Sequence, residues 1–481
     1  MRRAAAALLA LTVGCVLADS AVVTLALPEI LERLHTTVGQ VAWVLIAFNL
    51  VLAVVARPAA WFYKGRDPAV LCAAGIAVFA GASALCAVAG SLDVLVAARS
   101  VQAVGGAFAV IGCLQLLVDE LTERRGMAWW IAAGVFGTAV GPVAGGLLTD
   151  AFSWRSIFIV QVPIAVLAVP AALAKRRRSG QGLADDTQEH LTEERDAEEC
   201  DAEERDTEER DTQERRTPKH RVRIRPNIAL ALLSAALTAA LFLFVLLLVD
   251  GWRRSPAVAA VTVSVIPLAA LLARPLTRML RSGPMAQTTS GCLLIAGGLT
   301  GLALLPSADL AWTVAPQALV GLGLGLTLDP LTLQAMDGRR PLFLHGGWTI
   351  AARHAGVVLG LAILTPVFTA DLRSAQPPAE DAITALVLNA PLAPQDKITI
   401  ARGLADQLKQ DSGRVPDLDP AFQHLSVPAA EKPAVAQLER DLNLQLQRAA
   451  THAFRNAFLI GAALALVALL SLIPLRRGGV R

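Results

Sequence analysis

Apolar residues in this sequence come in blocks long enough to cross a bilayer, and this spacing constrains the fold more than any other feature. An α-helix rises 1.5 Å per residue, so about 20 residues span a hydrocarbon core about 30 Å thick. Of the 481 residues, 54% are hydrophobic, more than a soluble core requires. The sequence therefore predicts an all-α integral membrane protein with twelve transmembrane helices. Their apolar blocks are residues 4–27, 41–63, 69–90, 93–118, 128–149, 156–174, 227–249, 256–274, 285–306, 309–330, 346–369 and 453–475.

The first block begins like a signal peptide, because Arg2 and Arg3 precede an apolar run. That run continues past Asp19 to Pro28, which is longer than the roughly 7–15 apolar residues of a signal peptide. We therefore expect a retained first helix.

Lys and Arg concentrate in alternate loops, and the loops rich in these residues face the cytoplasm in bacterial inner membranes. This asymmetry predicts that both termini are cytoplasmic and marks the basic residues as topology signals, with no nucleic-acid partner. The six cysteines show no paired spacing, so we expect no disulfide, metal site or cofactor. The richer loops carry Arg2, Arg3, Lys64, Arg66, Arg124, Arg125, Lys175, Arg176, Arg177, Arg178, Arg278, Arg281, Arg339, Arg340, Arg476 and Arg477, and the others carry Arg33, Arg155, Arg253 and Arg254.

The blocks divide six plus six, and short repeats relate the two halves. Ala-Arg-Pro occurs at Arg57-Pro58 and again at Arg274-Pro275, and "QAVGG" from Gln102 corresponds to "QALVG" from Gln317. Duplicated halves with a site between them near the membrane midplane are typical of secondary transporters. We therefore expect two pseudo-symmetric six-helix bundles.

Two polar segments divide the chain further. We expect an N-terminal six-helix bundle over residues 1–174, a charged linker over 175–226, helices seven to eleven over 227–370, an extracytoplasmic helical insertion over 371–452, and helix twelve with a cytoplasmic tail over 453–481. The linker contains five-residue repeats from Glu193 to Thr217 without a large apolar residue, so it cannot bury a core. A solvated cytoplasmic tether and a partner-binding or regulatory segment both fit this composition.

The insertion 371–452 contains stretches with one apolar helical face. In "KITIARGLADQL" this face comprises Ile398, Ala401, Ala405 and Leu408. In "VAQLERDLNLQLQRAA" a second face comprises Val435, Leu438, Leu442, Leu446 and Ala449. The pattern predicts two or three amphipathic helices, the last running directly into block twelve. They form either an exported cap, packed on itself or on the helix ends, or an element that gates or hands on a lipophilic substrate.

Ionisable residues inside membrane blocks are costly and therefore candidates for function. Asp19 lies roughly 13 Å and Arg99 roughly 9 Å from the same membrane face at 1.5 Å per residue, so the two can pair. A carboxylate whose environment changes as helices move can load and release a proton; the alternative is a static ion pair. Arg353 and His354 in block eleven are further candidates, because histidine titrates near neutral pH, although a lone histidine also serves in packing.

Block five contains the stretch "GVFGTAVGPVAGG". Gly137, Gly141, Gly145 and Gly146 form a stripe without side chains that allows close approach of another helix, and Pro142 favours a local bend. Such a contact can slide without interlocking side chains, so it is a candidate hinge.

These stretches resemble the drug:proton antiporter branch of the major facilitator superfamily. "GTAVGPVAGGLL" is similar to its helix-five antiporter motif, "DSAVVTLALPEI" to its helix-one signature, and "RSVQAVGGAF" to its helix-four motif, whose Arg is implicated in proton transfer. "SWRSIFIVQVPIA" resembles the helix-five/six junction of the fourteen-helix branch. The resemblance implies proton coupling at Asp19, Arg99 and Gln102, and a hinge at the glycine stripe.

One loop departs from the family pattern Gly-x-x-x-Asp-Arg-x-Gly-Arg between helices two and three. The aligned "PAAWFYKGR" has Pro58, Phe62 and Tyr63 where Gly, Asp and Arg are usual, and only Gly65-Arg66 remains. The missing Asp ordinarily helps to latch the cytoplasmic gate, so its loss brings the ordinary transport cycle into question.

The sequence thus predicts a transporter, not an enzyme, which exports small lipophilic or cationic compounds against protons and is surrounded by membrane lipids. Two alternatives are an exporter of lipid or lipid-linked substrates, favoured by the large insertion, and a transport-dead membrane protein acting through its loop or linker, favoured by the altered latch.

Overall fold

The computed structural model describes residues 2–189, 222–280, 282–336, 340–410, 418, 422 and 431–472. The regular structure of these residues is entirely helical. The repeats from Glu193 to Thr217 lie outside the described residues. In chain order the helices are α1 (Arg2–Arg33), α2 (Val38–Phe62), α3 (Pro68–Ala87), α4 (Leu92–Glu120), α5 (Glu123–Ala151), α6 (Ser156–Glu189), α7 (Ile224–Gly251), α8 (Pro256–Val263, continued by Val265–Leu280), α9 (Pro284–Ala303), α10 (Leu310–Met336), α11 (Leu342–Asn389), α12 (Pro394–Gln410), α13 (Lys432–Ala453) and α14 (Arg455–Leu472).

Short loops end on side chains that cap the next helix. Thr37 forms a capping box with Gln40 at the start of α2, and Asp67 precedes Pro68 at the start of α3. Ser91 and Thr122 cap α4 and α5 in the same way. These oxygens satisfy backbone N–H groups that would otherwise lack a partner at helix starts.

Eleven described helical stretches are long and apolar enough to cross a membrane, and they correspond to eleven of the twelve predicted blocks. The ninth block forms α9, a helix of 20 residues that falls outside this set. Gln287, Thr288 and Ser290 lower the hydropathy of its first turns. It still packs closely on α10, since a Cβ on Gly298 would lie 2.5 Å from the carbonyl oxygen of Pro316. Twelve helical segments therefore occupy the predicted positions.

The packing of the second half repeats that of the first, with each helix replaced by the one six spans later. Because α13 leads directly into α14, α14 is the twelfth span and α13 is its continuation beyond the membrane. The pairs α1–α5, α3–α4, α3–α6, α2–α4 and α1–α6 correspond to α7–α11, α9–α10, α9–α14, α8–α10 and α7–α14. The halves meet through α2 against α11 and α5 against α8, which are themselves equivalent pairs. The predicted two-bundle architecture with pseudo-symmetry is confirmed.

The segment 371–452 builds a second, smaller hydrophobic core beyond the membrane spans. Its helical content was predicted, but α11 does not stop near residue 370 and continues to Asn389. The continuation is favoured because its residues Ile383 and Val387 pack into this core. The core joins α11, α12 and α13, and its buried members are Ile383, Val387, Ala390, Leu392, Ile400, Leu404, Leu418, Leu438, Leu442 and Leu446.

The two predicted amphipathic faces differ in outcome. The face of α13 is confirmed, since Leu438 and Leu442 are buried. The face of α12 was predicted wrongly: Ile398 is 53% exposed, whereas Ile400 and Leu404 are buried. Ile400 and Leu404 pack into the small core with residues of α11 and α13, so tertiary contacts select this face of α12.

Candidate functional site

A fully buried polar cluster joins α1, α4 and α6. Arg99 donates from Nη1 to Asp19 Oδ2 and, at 2.6 Å, to Gln102 Oε1. Gln161 donates from Nε2 to Asp19 Oδ1 at 2.8 Å, and Gln102 donates to Gln161 Oε1 at 2.8 Å. Asp19, Arg99 and Gln102 are 0% exposed. The structure thus brings the predicted Asp19–Arg99 pair and Gln102 together and adds Gln161.

The cluster extends to the walls that surround it. The Arg99 guanidinium lies 4.1 Å from the centre of the Phe48 ring, and its Nε donates to the Val44 carbonyl oxygen at 3.3 Å. Ser83 accepts a hydrogen bond from Gln102 Nε2 at 2.8 Å. Arg99 Nη2 is buried without a hydrogen-bond partner among the described residues. The cation is held by a carboxylate, amides and an aromatic face, so its charge balance depends on Asp19.

A cavity of about 110 Å³ lies between the two halves and next to this cluster. Both halves line it. Its polar face includes Ser20 and Asn49 from the first half and Arg353 and His354 from the second, and its remaining walls are mostly apolar. The cavity lies between the halves, which is where the substrate sites of two-bundle carriers are located.

Arg353 and His354 lie in this cavity and make no direct hydrogen bond with Asp19. His354 is 7% exposed, and its Nδ1 lies 2.7 Å from Asn49 Oδ1 across the boundary between the halves. Asn49 Nδ2 in turn donates to Ser20 Oγ at 3.0 Å. The cavity therefore contains a polar bridge between the bundles that begins one residue after Asp19.

Three polar residues inside spans were not predicted from the sequence: Asn49, Gln161 and Asp329. Gln161 is a further hydrogen-bond partner of Asp19. Asp329 on α10 interacts electrostatically with Arg353. Each is a polar residue within a predicted apolar block, which was the only available signal. Among the described residues, no group of three or more His, Cys, Asp and Glu side chains is arranged to hold a metal ion.

The glycine stripe of α5 packs directly on the backbone of α1. A Cβ on Gly137 would lie 2.2 Å from Gly14 O, and one on Gly145 would lie 2.4 Å from Val22 O. The contact at Gly141 is less tight, since a Cβ there would lie 3.1 Å from Ala18 O. Because residue numbers rise together along both helices, α1 and α5 run parallel. Pro142 lies inside α5 next to this contact.

Gly146 faces a different helix from the other stripe glycines. A Cβ there would lie 2.2 Å from the Ala260 Cβ on α8, which belongs to the second half. The stripe therefore serves one contact within the first half and one contact between halves.

The second half carries an equivalent stripe that sequence analysis missed. A Cβ on Gly356 of α11 would lie 2.0 Å from Ala231 O on α7, and one on Gly360 would lie 2.7 Å from Ala235 O. The spacing Gly-x-x-x-Gly is the available signal. Each half thus has a parallel helix pair in backbone contact at this equivalent position.

At the membrane face where α1 begins, the halves touch through a group of residues that we call the gate end: Arg57, Ala60, Glu123, Arg340, Gly347 and Trp348. The Arg57 guanidinium lies 4.4 Å from the Trp348 ring centre, and Arg340 Nη2 lies 2.9 Å from Glu123 Oε2. A Cβ on Gly347 would lie 2.7 Å from the Ala60 Cβ. Phe62, in the position of the usual latch Asp, instead packs under Arg66 at 4.9 Å.

Twelve helical segments in two equivalent halves, with a cavity lined by both and a buried ion pair beside it, define a secondary-transporter fold. The chain belongs to the major facilitator superfamily, whose family model matches residues 9–365. The match covers the first bundle and continues through the second bundle to residue 365 in α11.

Curated relatives match only part of this chain. It is 34% identical over 166 residues to the methylenomycin A resistance protein of Streptomyces coelicolor, covering 33% of this chain and 35% of that one. It is 36% identical over 166 residues to the multidrug efflux pump LfrA of Mycolicibacterium smegmatis, covering 33% of this chain and 32% of that one. It is 32% identical over 159 residues to the drug efflux pump JefA of Mycobacterium tuberculosis, covering 32% of this chain and 31% of that one. The chain therefore spans about a third of the length of these relatives.

Solved structures match over nearly the whole chain at low identity. The tetrameric PepTSo2 structure has a TM-score of 0.56 and 12% identity and covers 96% of each chain. A bacterial homologue of the human lysosomal transporter Spinster, in an inward-facing and unoccupied conformation, has a TM-score of 0.53 and 14% identity, covering 98% of this chain and 97% of that one. These likenesses establish the fold.

Proposed function

We propose that this protein exports small lipophilic or cationic compounds in exchange for protons, by alternating access around the cavity between its halves. The observation that carries the proposal is the buried Asp19–Arg99 pair, held by Gln102 and Gln161, one residue away from the cavity wall at Ser20. The matching relatives are named for drug efflux and antibiotic resistance, which supports the substrate class.

Asp19 is the proton-carrying group in this proposal. In the paired state its carboxylate is ionised and balances Arg99. A shift of α1 relative to α4 that separates the two groups makes the buried carboxylate costly and favours uptake of a proton. Return to the paired geometry releases that proton on the other side. Gln102 and Gln161 are positioning residues, because each hydrogen-bonds a member of the pair.

The cavity is the proposed substrate site. At about 110 Å³ it is smaller than the roughly 300–1,000 Å³ of ligand pockets, so we expect it to enlarge when either end opens. Its mostly apolar wall favours lipophilic compounds.

We further propose that the glycine contacts of α1 with α5 and of α7 with α11 are the surfaces that slide during this change. Helices in backbone contact lack interlocking side chains, so each pair can shift by small steps. Gly137, Gly141, Pro142 and Gly145 form this surface in the first half, and Gly356 and Gly360 form it in the second. Gly146 adds the contact of α5 with α8 to the proposed hinge.

Orientation follows from the charge asymmetry of the loops. We propose a bacterial inner-membrane location with both termini and the linker 175–226 in the cytoplasm and the segment 371–452 exported. In this orientation the gate end is cytoplasmic. Its Arg57–Trp348 and Arg340–Glu123 contacts supply closing interactions between the halves, so the absent latch Asp does not favour a transport-dead protein.

Drug uptake into proteoliposomes tests the proposal. Purified protein is reconstituted with an imposed pH gradient, and accumulation of a cationic dye is compared for wild type and Asp19→Asn. We expect gradient-driven accumulation that an uncoupler abolishes in wild type, and none above the protein-free level in Asp19→Asn. Asp93→Asn, an exposed carboxylate on α4, serves as the matched control and should transport normally. Gradient-driven transport by well-folded Asp19→Asn would exclude Asp19 as the coupling group.

A further inference from the structure

A second, larger cleft lies on the opposite side of the bundle from the gate end. Its volume is about 490 Å³, and it is formed between the extension of α11 and the end of α13 where this helix leads into α14. Six polar side chains line it, together with alanines and one proline: Asp371, Ser374, Gln445, Arg448, His452 and Asn456.

The two walls of the cleft are each one face of a helix. Asp371, Ser374 and Pro378 follow one another at helical spacing on α11, and Gln445, Arg448 and His452 do so on α13. Below the cleft the helices come together, since the rings of Phe368 and Phe454 stack with 4.2 Å between their centroids. The cleft is thus formed where α11 and α13 diverge from their contact at Phe368 and Phe454.

The walls carry opposite charges. Asp371 accepts a hydrogen bond on Oδ1 from Asn456 Nδ2 at 3.3 Å, while its Oδ2 is buried and has no hydrogen-bond partner among the described residues. Arg448 and His452 on the facing wall are exposed side chains that can donate. The cleft therefore offers an acceptor on one side for an ammonium group, and donors on the other side for an anionic oxygen.

The position of the cleft along the membrane normal indicates which kind of molecule can bind there. The apolar run of block eleven ends at residue 369, and Asp371 follows directly. On the other wall, Arg455 and Asn456 open the apolar run of α14. The cleft therefore begins just outside the hydrocarbon core, at the level where lipid headgroups are located.

We propose that this cleft binds the headgroup of a zwitterionic aminophospholipid such as phosphatidylethanolamine, as a resident lipid and not as cargo. Its ammonium group hydrogen-bonds to the Asp371 carboxylate, and its phosphate interacts with Arg448 and His452. The bound lipid connects α11 to α13, the two helices that join the membrane bundle to the smaller core. This site is separate from the cavity between the halves and does not depend on the export proposed above.

Lipid retention by the full chain tests the site. Purified protein is stripped of lipid, mixed with equal amounts of phosphatidylethanolamine, phosphatidylcholine and phosphatidylglycerol in detergent, and analysed by native mass spectrometry. We expect phosphatidylethanolamine to be retained over the other two. Asp371→Asn and Arg448→Gln should each reduce this retention about tenfold, because each removes a charge-assisted hydrogen bond. Arg440→Gln is the matched control, since Arg440 lies on α13 outside the cleft and contacts Ala436 and Gln437.

Each other outcome overturns the proposal. Equal retention of phosphatidylcholine would exclude donation from the ammonium group to Asp371, because a quaternary ammonium has no N–H. Preferential retention of phosphatidylglycerol would assign the cleft to anionic lipids instead. Retention unchanged in both variants, or reduced equally in Arg440→Gln, would place the lipid elsewhere. Thermal unfolding of each variant confirms that the comparison concerns folded protein.

Discussion

His354 of α11 and Asn49 of α2 meet across the boundary between the two halves, with 2.7 Å between the imidazole Nδ1 and the amide Oδ1. Asn49 also donates to Ser20 on α1 at 3.0 Å, and Ser20 directly follows Asp19. A short line of hydrogen bonds therefore leads from beside the buried ion pair to the second half. Since α2 and α11 lie in different bundles, this bridge must change when the bundles rock.

A double-mutant cycle should detect the bridge. Asn49→Leu leaves the buried His354 Nδ1 without its partner, which costs about 1–3 kcal/mol. His354→Leu leaves Asn49 Oδ1 with only the Ser20 hydroxyl as a donor. The double variant removes both groups, so it should be less destabilised than the sum of the single changes, with a coupling of about 0.5–3 kcal/mol. Thermal unfolding of the purified protein in detergent gives the four midpoints. As a control, Ser290→Ala on α9 combined with His354→Leu should be additive, because Ser290 bonds only to its own helix.

The gate end provides a second prediction. A Cβ on Gly347 would lie 2.7 Å from the Ala60 Cβ and 2.9 Å from the Ala56 carbonyl oxygen, so Gly347→Val should hold α2 and α11 apart. We expect the cavity to become more accessible from this end and export to fall. In a cysteine-free chain carrying Thr138→Cys in the cavity wall, an impermeant maleimide added from the gate side should react faster.

Gly297→Val is the matched control for the gate, since a Cβ at that helical glycine meets nothing within 4 Å. It should leave labelling and export unchanged. Trp348→Leu removes only the contact with Arg57, worth about 0.5–1 kcal/mol at an exposed site, so its effect on labelling should be smaller. Identical labelling in Gly347→Val and wild type would show that the gate end does not close the cavity.

The two glycine stripes predict graded effects. Adding a methyl group at Gly145 or Gly356 brings it within 2.4 Å and 2.0 Å of a carbonyl oxygen on the neighbouring helix. Overpacking of this kind costs about 1–3 kcal/mol, so Gly145→Ala and Gly356→Ala should lower both stability and export. Gly141→Ala should be milder, because its Cβ would lie 3.1 Å from the nearest atom, whereas Gly141→Leu should abolish export.

Gly81→Ala is the control for the stripes, because a Cβ there has open space around it. Dye export at normal expression and the unfolding midpoint are measured for all variants. Wild-type export by Gly141→Leu and Gly356→Ala would contradict the hinge proposed for these contacts.

The proposed orientation is tested with tags placed in residues 180–220 and 380–445. Protease added to intact spheroplasts should remove the tag in the second segment and leave the first. Lysis before digestion should expose both, which shows that each tag is cleavable. Cleavage of the first tag from outside would reverse the orientation and place the gate end on the exported side.

Much of the fold could be predicted because a bilayer imposes a length and a hydropathy on each span. The pairing of Asp19 with Arg99 could be predicted for the same reason, since depth can be counted from the end of each block. Gln161 could not, because an uncharged amide gives a weak signal and its contact depends on how α6 rotates. The buried face of α12 was missed because its partners on α11 and α13 are distant in sequence, and tertiary packing decided between two helical faces.

Asp19→Asn separates a proton carrier from a static ion pair. The substitution keeps size and hydrogen bonding but removes the charge that balances Arg99, which is 0% exposed. If the pair is chiefly structural, the unpaired cation should destabilise the fold by about 3–5 kcal/mol, and the companion change Arg99→Gln should restore the yield of folded protein. If Asp19 carries the proton, the variant should remain folded, because the protonated form that it mimics is a normal state of the cycle.

Stability and transport measured together decide between these two roles. For the proton carrier we expect Asp19→Asn to keep a midpoint close to wild type, to bind a neutral lipophilic dye, and to equilibrate it without accumulation against a gradient. The double variant with Arg99→Gln should then gain no transport. Gln161→Leu provides an intermediate case: it removes one hydrogen bond to Asp19 Oδ1 and leaves the carboxylate in place. Since Gln161 positions the proton carrier in this mechanism, Gln161→Leu should retain uphill export and shift its pH dependence. An unchanged pH profile in a folded Gln161→Leu protein would mean that this amide only packs the bundle.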